Sequence, residues 1–163
     1  MARELDVIDS RILAELESNG RLSIVELAQR VNLTNTPCSE RVKRLERDGY
    51  IHGYRALINK EKVGMGQRTI VQVSLAASAA DNMLSRFNDA VHAIEEVETC
   101  LMIAGAFDYL LVLRTRDMTH FRNVLDEKVN KLPGILQTNS FAVMETVKDI
   151  HSMPAKYRTR GSI

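Results

Sequence analysis

The 163 residues are enough for one or two small domains. With 45% hydrophobic and 26% charged residues the composition is that of a globular protein, which excludes a disordered or low-complexity chain, and apolar runs such as Tyr109–Leu113 are far too short to span a bilayer. The formal charge of +1 speaks at first against a nucleic-acid partner, but it is a cancellation between segments. Residues 31–60 carry six basic and three acidic side chains and residues 151–163 three and none, whereas residues 1–30 carry four and six and residues 61–150 nine and twelve. Two cysteines, Cys38 and Cys100, cannot build a disulfide framework or a thiolate zinc site. The opening MARELDVIDS turns acidic at once, unlike a signal or transit peptide, so a cytoplasmic setting without a membrane partner is expected.

Leu5, Ile8, Ile12, Leu13 and Leu16 recur at helical spacing, and Asn19-Gly20 is expected to end that first helix in a left-handed conformation. Ser23 followed by Glu26 is a capping box, opening a second helix with Ile24, Leu27, Ala28 and Val31 as its buried stripe. Asn32 suits a left-handed turn. Thr34 and Pro37 then suit the N-cap and first turn of a third helix, with Cys38, Val42 and Leu45 inward and Asp48-Gly49 at its end. Residues 50–58 read as two short strands around Gly53, a small hairpin or wing.

Gly64 and Gly66 mark residues 59–66 as a linker. Beyond it the period changes to two, with Thr69, Val71, Val73 and Leu75 on one face of a strand over 68–76. Met83, Leu84, Phe87, Val91 and Ile94 predict a helix; Val97, Thr99, Leu101 and Ile103 predict a strand, and residues 107–114 another. Asp117 caps a helix running to Leu132, Pro133-Gly134 turns the chain, and residues 135–145 form the last strand. The expected class is therefore α+β: a winged helix-turn-helix over residues 1–58, the linker, a ferredoxin-like βαββαβ domain over 67–150, and a basic tail over 151–163.

Residues 23–47 fit a helix-turn-helix that reads double-stranded DNA. Short polar groups at the start of the third helix, Thr34, Asn35, Thr36, Ser39 and Glu40, suit base edges and adjacent backbone. Arg41, Lys43, Arg44 and Arg47 suit phosphates, as does Arg55 on the wing. The competing reading is a solvated amphipathic helix, since Glu40, Glu46 and Asp48 interrupt the charge run; the preceding helix, turn and hairpin favour DNA.

The run LTNTPCSERVKRLERDGYIHGYRA, residues 33–56, resembles the recognition helix and wing of the Lrp/AsnC, or feast/famine, transcription regulators. LDVIDSRILAELESNGRLSIVELAQRVNL, residues 5–33, is similar to that family's first two helices. AGAFDYLLVLRTRDMTHF, residues 104–121, resembles its ligand-sensing motif, and SFAVMETVKD, residues 140–149, its final strand. The match is closer to the leucine-responsive branch than to archaeal members. The resemblance implies a DNA-binding regulator with an amino-acid effector, forming homodimers that assemble into an octamer or similar disc.

A glycine turn can offer N–H groups to an α-carboxylate and an acidic group can hold an α-ammonium. Together with the resemblance, this makes Gly105, Ala106, Phe107, Asp108 and Tyr109 an effector cradle, with Met102, Thr138 and Ser140 lining the pocket. The plain alternative is a turn in which Asp108 bonds its own backbone. Ala106 stands where the leucine-responsive branch often carries an acidic residue, so the motif leaves the effector's identity open. Phe107 and Tyr109 alternate like base-stacking aromatics of an RNA-binding sheet, but the acidic balance of this domain favours core or interface packing. His52, His92, His120 and His151 have no metal-ligand spacing, Cys38 falls on a buried stripe, and no nucleotide-loop or nucleophile motif occurs. Neither a cofactor, a metal nor enzymatic activity is expected.

Overall fold

The computed structural model describes residues 4–76 and 82–147, so the expected basic tail lies outside the described residues. The chain divides into two compact units, with the break between Leu57 and Ile58.

The first unit contains α1 (Val7–Ser18), α2 (Ile24–Arg30) and α3 (Asn35–Arg47). Its core is Ile12, Leu13, Leu27, Ala28, Val31, Cys38, Val42 and Leu45, all buried, with Leu5, Ile8 and Leu33 packed against them. The caps are local chemistry. Asp6 and Asp9 form a reciprocal capping box on α1, as Ser23 and Glu26 do on α2. Asn32 turns left-handed at φ 56° and lets Leu33 N–H reach the Ala28 carbonyl at 2.8 Å, a Schellman closure that sets the bend into α3. Gly49, at φ 77°, closes α3 in the same way, with Tyr50 N–H on the Leu45 carbonyl at 2.9 Å.

Two expectations fail in this unit. Helix α1 ends at Asn19 in an extended conformation, because the Asn19 side chain accepts the Arg21 N–H at 3.0 Å and forms an Asx turn that needs no left-handed residue. The hairpin over 50–58 is not paired: residues 51–59 run without strand structure. Tyr54 is drawn instead to Glu46, to which its hydroxyl donates at 2.9 Å. An isolated two-stranded ribbon this short has little to hold it.

The second unit holds β1 (Gln67–Leu75), α4 (Met83–His92), β2 (Val97–Met102), β3 (Tyr109–Thr115), α5 (Met118–Glu127) and β4 (Ile135–Ala142). The sheet order is β2-β3-β1-β4, antiparallel throughout, which is the ferredoxin-like arrangement expected from the alternation of patterns. Thr69, Val71 and Val73 pair with Leu113, Leu111 and Tyr109 and face the helices as a closed core with Phe87, Val91, Phe121 and Val124. Asp117 caps α5 by accepting the His120 N–H at 2.7 Å. The helix stops at Glu127, short of the expected Leu132, and a tighter 3₁₀ turn, Val129–Lys131, buries Val129.

On β2 the expected inward stripe is displaced. The register shifts between Val97 and Thr99, so Cys100, opposite Leu111, turns inward while Leu101 is left exposed. One bulge residue moves every following side chain to the other face. The face of the sheet away from the helices carries Ile70, Leu110 and Val112 half-buried, with Leu101 and Phe141 exposed.

Candidate nucleic-acid interface and effector cleft

The inward stripe of α3 fixes what its other side shows. With Cys38, Val42 and Leu45 buried, Thr36, Glu40, Lys43 and Arg47 fall on the opposite face and are exposed, as are Thr34 and Asn35 at the N-terminal end; Ser39 is half-buried. Thr34 has the extended N-cap backbone, but its hydroxyl makes no capping bond. The third helical residue is Pro37, which has no N–H to give it. The hydroxyl of Thr34 and the first-turn amides of Asn35 and Thr36, which have no partner within the helix, thus collect at one exposed tip suited to a phosphate or base edge. Arg55 is exposed beyond the helix. Arg47 is exposed and shares its Nε with Asp48 at 3.1 Å.

Arg41 and Arg44, expected to reach phosphates, face α1 instead. Arg41 Nη1 donates to Asp6 Oδ2 at 2.6 Å and to Asp9 Oδ1 at 2.7 Å, and Arg44 Nη2 donates to both Asp9 oxygens at 2.7 and 2.8 Å. The Asp9 side chain is only 4% exposed, against 24% and 23% for the two arginines. Positions 41 and 44 flank the buried stripe, so their guanidinium groups lie along the helix boundary where α1 supplies carboxylates. Burial pushes the Asp6 carboxyl up, but the Arg41 bond and charge and the Asp9 amide outweigh it and hold the carboxyl below its ordinary value. The bonds to Asp6 and then Asp9 raise the Arg41 guanidinium further. The sequence does carry a signal for this network, acids three apart at the start of α1, but periodicity reads them as a solvated face.

In the second unit, residues 103–108 leave β2 and return into β3, closed by the Ile103 N–H on the Asp108 carbonyl at 2.8 Å. Gly105 and Ala106 are exposed, Phe107 and Asp108 half-buried, and Tyr109 buried. Asp108 continues the β1–β3 ladder past its last backbone pair: its amide bonds the Val73 carbonyl at 2.9 Å and its Oδ2 accepts the Leu75 N–H at 2.7 Å. The carboxylate therefore serves the backbone of a neighbouring strand, not that of its own turn. Tyr109 points into the helix-covered core, so Phe107 and Tyr109 do not form an exposed stacking pair.

The expected pocket from Met102 to Thr138 and Ser140 does not form within one chain. Met102 pairs with Tyr109, Tyr109 with Val73, and Val73 with Thr138, so the two ends are three strand spacings, roughly 14 Å, apart on opposite sheet edges. Thr138 Oγ1 donates to Asn130 Oδ1 at 3.1 Å. Met102 and Tyr109 instead border a cleft of about 430 Å³ between α4 and β2, which Asn88, His92 and Cys100 also line. Sequence reasoning missed the three last residues, since they lie on two separate elements.

Among the described residues no group of three or more His, Cys, Asp or Glu side chains is placed to hold a metal ion. No helix among them is long and apolar enough to cross a membrane. Both cysteines are free thiols, and burial pushes each above its ordinary pKa; Cys38 is fully enclosed in the first core.

Comparison with known proteins agrees with both units. A winged helix-turn-helix DNA-binding model matches residues 5–52, and an Lrp/AsnC ligand binding domain model matches residues 68–153. A proline dehydrogenase transcriptional activator of Rhizobium radiobacter is 46% identical over 146 residues, covering 90% of this chain and 93% of that protein. The leucine-responsive regulatory protein of Escherichia coli K12 is 44% identical over 156 residues, covering 96% and 94%. A crystal structure of a transcriptional regulator of Neisseria meningitidis in complex with L-methionine superposes with a TM-score of 0.86 at 34% identity, covering 92% of this chain and 96% of that one.

Proposed function

Because this chain belongs to the Lrp/AsnC family of transcription regulators, we propose that its first unit reads specific double-stranded DNA under the control of an amino acid received by its second. The observation that carries the reading is the outer face of α3, where polar Thr36 and Glu40 and cationic Lys43 and Arg47 share one exposed stripe behind an open helix tip. Thr34, Asn35, Thr36, Ser39 and Glu40 address bases and nearby backbone; Lys43, Arg47 and Arg55 address phosphates. Arg41 and Arg44 act one step back, fixing α3 on α1. The helix pair presents the polar groups and the cations; it offers no catalytic constellation.

Three phosphate-facing cations make a weak reading head, since each neutralised phosphate contributes a log–log salt slope of only about −0.9. Useful affinity then comes from several heads held together. The apolar sheet face with Leu101 and Phe141 exposed supports pairing of two sensor units, and homodimers assembling into an octamer or similar disc bring the heads side by side. The effector is an amino acid received at the β2–β3 end of the sheet, around Met102 and the loop Gly105–Tyr109. A regulator of this kind works where the DNA is, in the cytoplasm.

A gel shift with the DNA upstream of its own gene, across a salt series with and without amino acids, tests this. Retardation that weakens steeply with salt and changes with an amino acid is expected. No retardation at low salt refutes the reading in favour of a helix-turn-helix that contacts protein. For assembly, Phe141→Glu is expected to shift the sedimentation coefficient down to that of a smaller species.

A further inference from the structure

We infer that Glu40 is a base-selecting residue, that the base it selects is cytosine, and that Asp9 makes this possible by drawing Arg44 away from it. The inference rests on the DNA-reading role proposed above and names the base chemistry at its centre.

Glu40 is exposed and stands at the middle of the outer face of α3. At about 100° per residue, Cys38 and Val42 of the buried stripe lie about 160° from it around the helix axis. Thr36, Lys43 and Arg47 fall within about 60° of it. A carboxylate in that place is repelled by the phosphates that Lys43 and Arg47 address. The usual remedy on a helix is an ion pair with a cation three or four residues further on, and Lys43 and Arg44 occupy those two positions.

The packing of α3 on α1 removes the remedy. Arg44 gives its Nη2 to both Asp9 oxygens, at 2.7 and 2.8 Å, and the Asp9 side chain that holds it is 4% exposed. Among the described residues neither Lys43 nor Arg44 forms a hydrogen bond or ion pair with Glu40. A bare carboxylate is thus presented between Thr36 and Lys43. Inside a groove it needs a donor. Cytosine offers its N4 amino group, whereas guanine O6 and N7 and thymine O4 are acceptors that repel it, and adenine sets its amino group beside the N7 acceptor. Glu40 therefore favours cytosine and also weakens binding wherever another base meets it.

The test is selection of duplexes with a randomised core by the full-length protein, read by sequencing. The wild type is expected to enrich a motif with a position at which cytosine exceeds each other base about tenfold. Glu40→Ala is expected to flatten that position alone and to bind duplex of unrelated sequence at least as tightly; a merely structural residue would weaken binding to every sequence. Glu40→Gln is expected to turn the position to adenine, which glutamine reads through N6 and N7. Asp9→Asn, assayed well below its melting temperature, is expected to reduce the cytosine preference by releasing Arg44 toward Glu40, and adding Arg44→Ala to restore it. A cytosine preference unchanged in Asp9→Asn overturns the part given to Asp9. A wild-type motif that every Glu40 variant retains, or a Glu40-dependent position that selects any other base, overturns the inference and leaves the DNA-binding reading standing. If the wild type enriches no motif, that reading falls and the inference with it.

Discussion

Replacing Asp9 by asparagine keeps the shape of the side chain and removes the charge on which two arginines of α3 converge. Asp9 accepts three charge-assisted bonds at 2.7–2.8 Å while 4% exposed. Removing one partner of a fully buried pair costs about 3–5 kcal/mol. Here Arg41 and Arg44 keep 24% and 23% of their side chains in water, Asp6 still holds Arg41, and asparagine retains one accepting oxygen. Those three offsets bring the expected loss to about 2 kcal/mol, or roughly 8–16 °C in melting temperature for a unit this small. Asp6→Asn is the control. Asparagine caps a helix as well as aspartate, and the Asp6 side chain is 43% exposed, so its loss should stay within about 1 kcal/mol. Hydrogen exchange read by mass spectrometry separates the units. In Asp9→Asn, peptides of α3 containing Val42 and Leu45 should lose protection about 30-fold, while β1 and β3 peptides containing Val71 and Leu111 should not change. A loss under about 0.5 kcal/mol, or an equal loss in the sensor sheet, would refute the role given to Asp9.

Further outcomes follow from other residues. Lys43→Ala should flatten the log–log salt dependence of DNA binding by about one unit, whereas Arg44→Ala should lower the melting temperature of the first unit and leave the slope close to that of the wild type. The Asp6 carboxyl is held below its ordinary 3.8 in the folded chain, so its contribution is present above that value and disappears as pH falls through the lower folded one. The stability gap between wild type and Asp6→Asn, measured by denaturant titration, should therefore close on acidification below 3.8. Gly134 and Gly49 both sit at φ +77°, but a Cβ on Gly134 would meet Met83 Cγ at 2.8 Å, while one on Gly49 meets nothing within 4 Å. Gly49→Ala should cost about 1–2 kcal/mol of backbone strain and Gly134→Ala more; equal costs by denaturant titration would remove Met83 from the account. Burial, then the bond to Glu46, pushes Tyr54 up to about 12. An alkaline absorbance titration should show a late-ionising tyrosine that disappears in Tyr54→Phe and moves down in Glu46→Gln.

What could be read without coordinates is what neighbouring residues decide among themselves. The N-cap at Asp117, the capping box at Ser23, the left-handed turn at Asn32 and the glycine stop at Gly49 depend on contacts three to five residues apart, and the stripes of α3 and β1 follow from period alone. The change of period from 3.6 to 2 after residue 66 was enough to separate a helical reading head from a sheet-based sensor. The errors share one cause. Periodicity says which face of an element is turned inward, but not what the boundary residues of that face will meet. Arg41 and Arg44 have the charge of phosphate ligands, and only the packing of α3 on α1, more than thirty residues away in sequence, makes them partners of Asp6 and Asp9. Met102 ends β2 and Thr138 lies in the middle of β4, and only the order β2-β3-β1-β4 sets them on opposite edges of one chain's sheet. The bulge that turns Cys100 inward is likewise decided between strands, where the energy of a contact depends on a register that no local pattern contains.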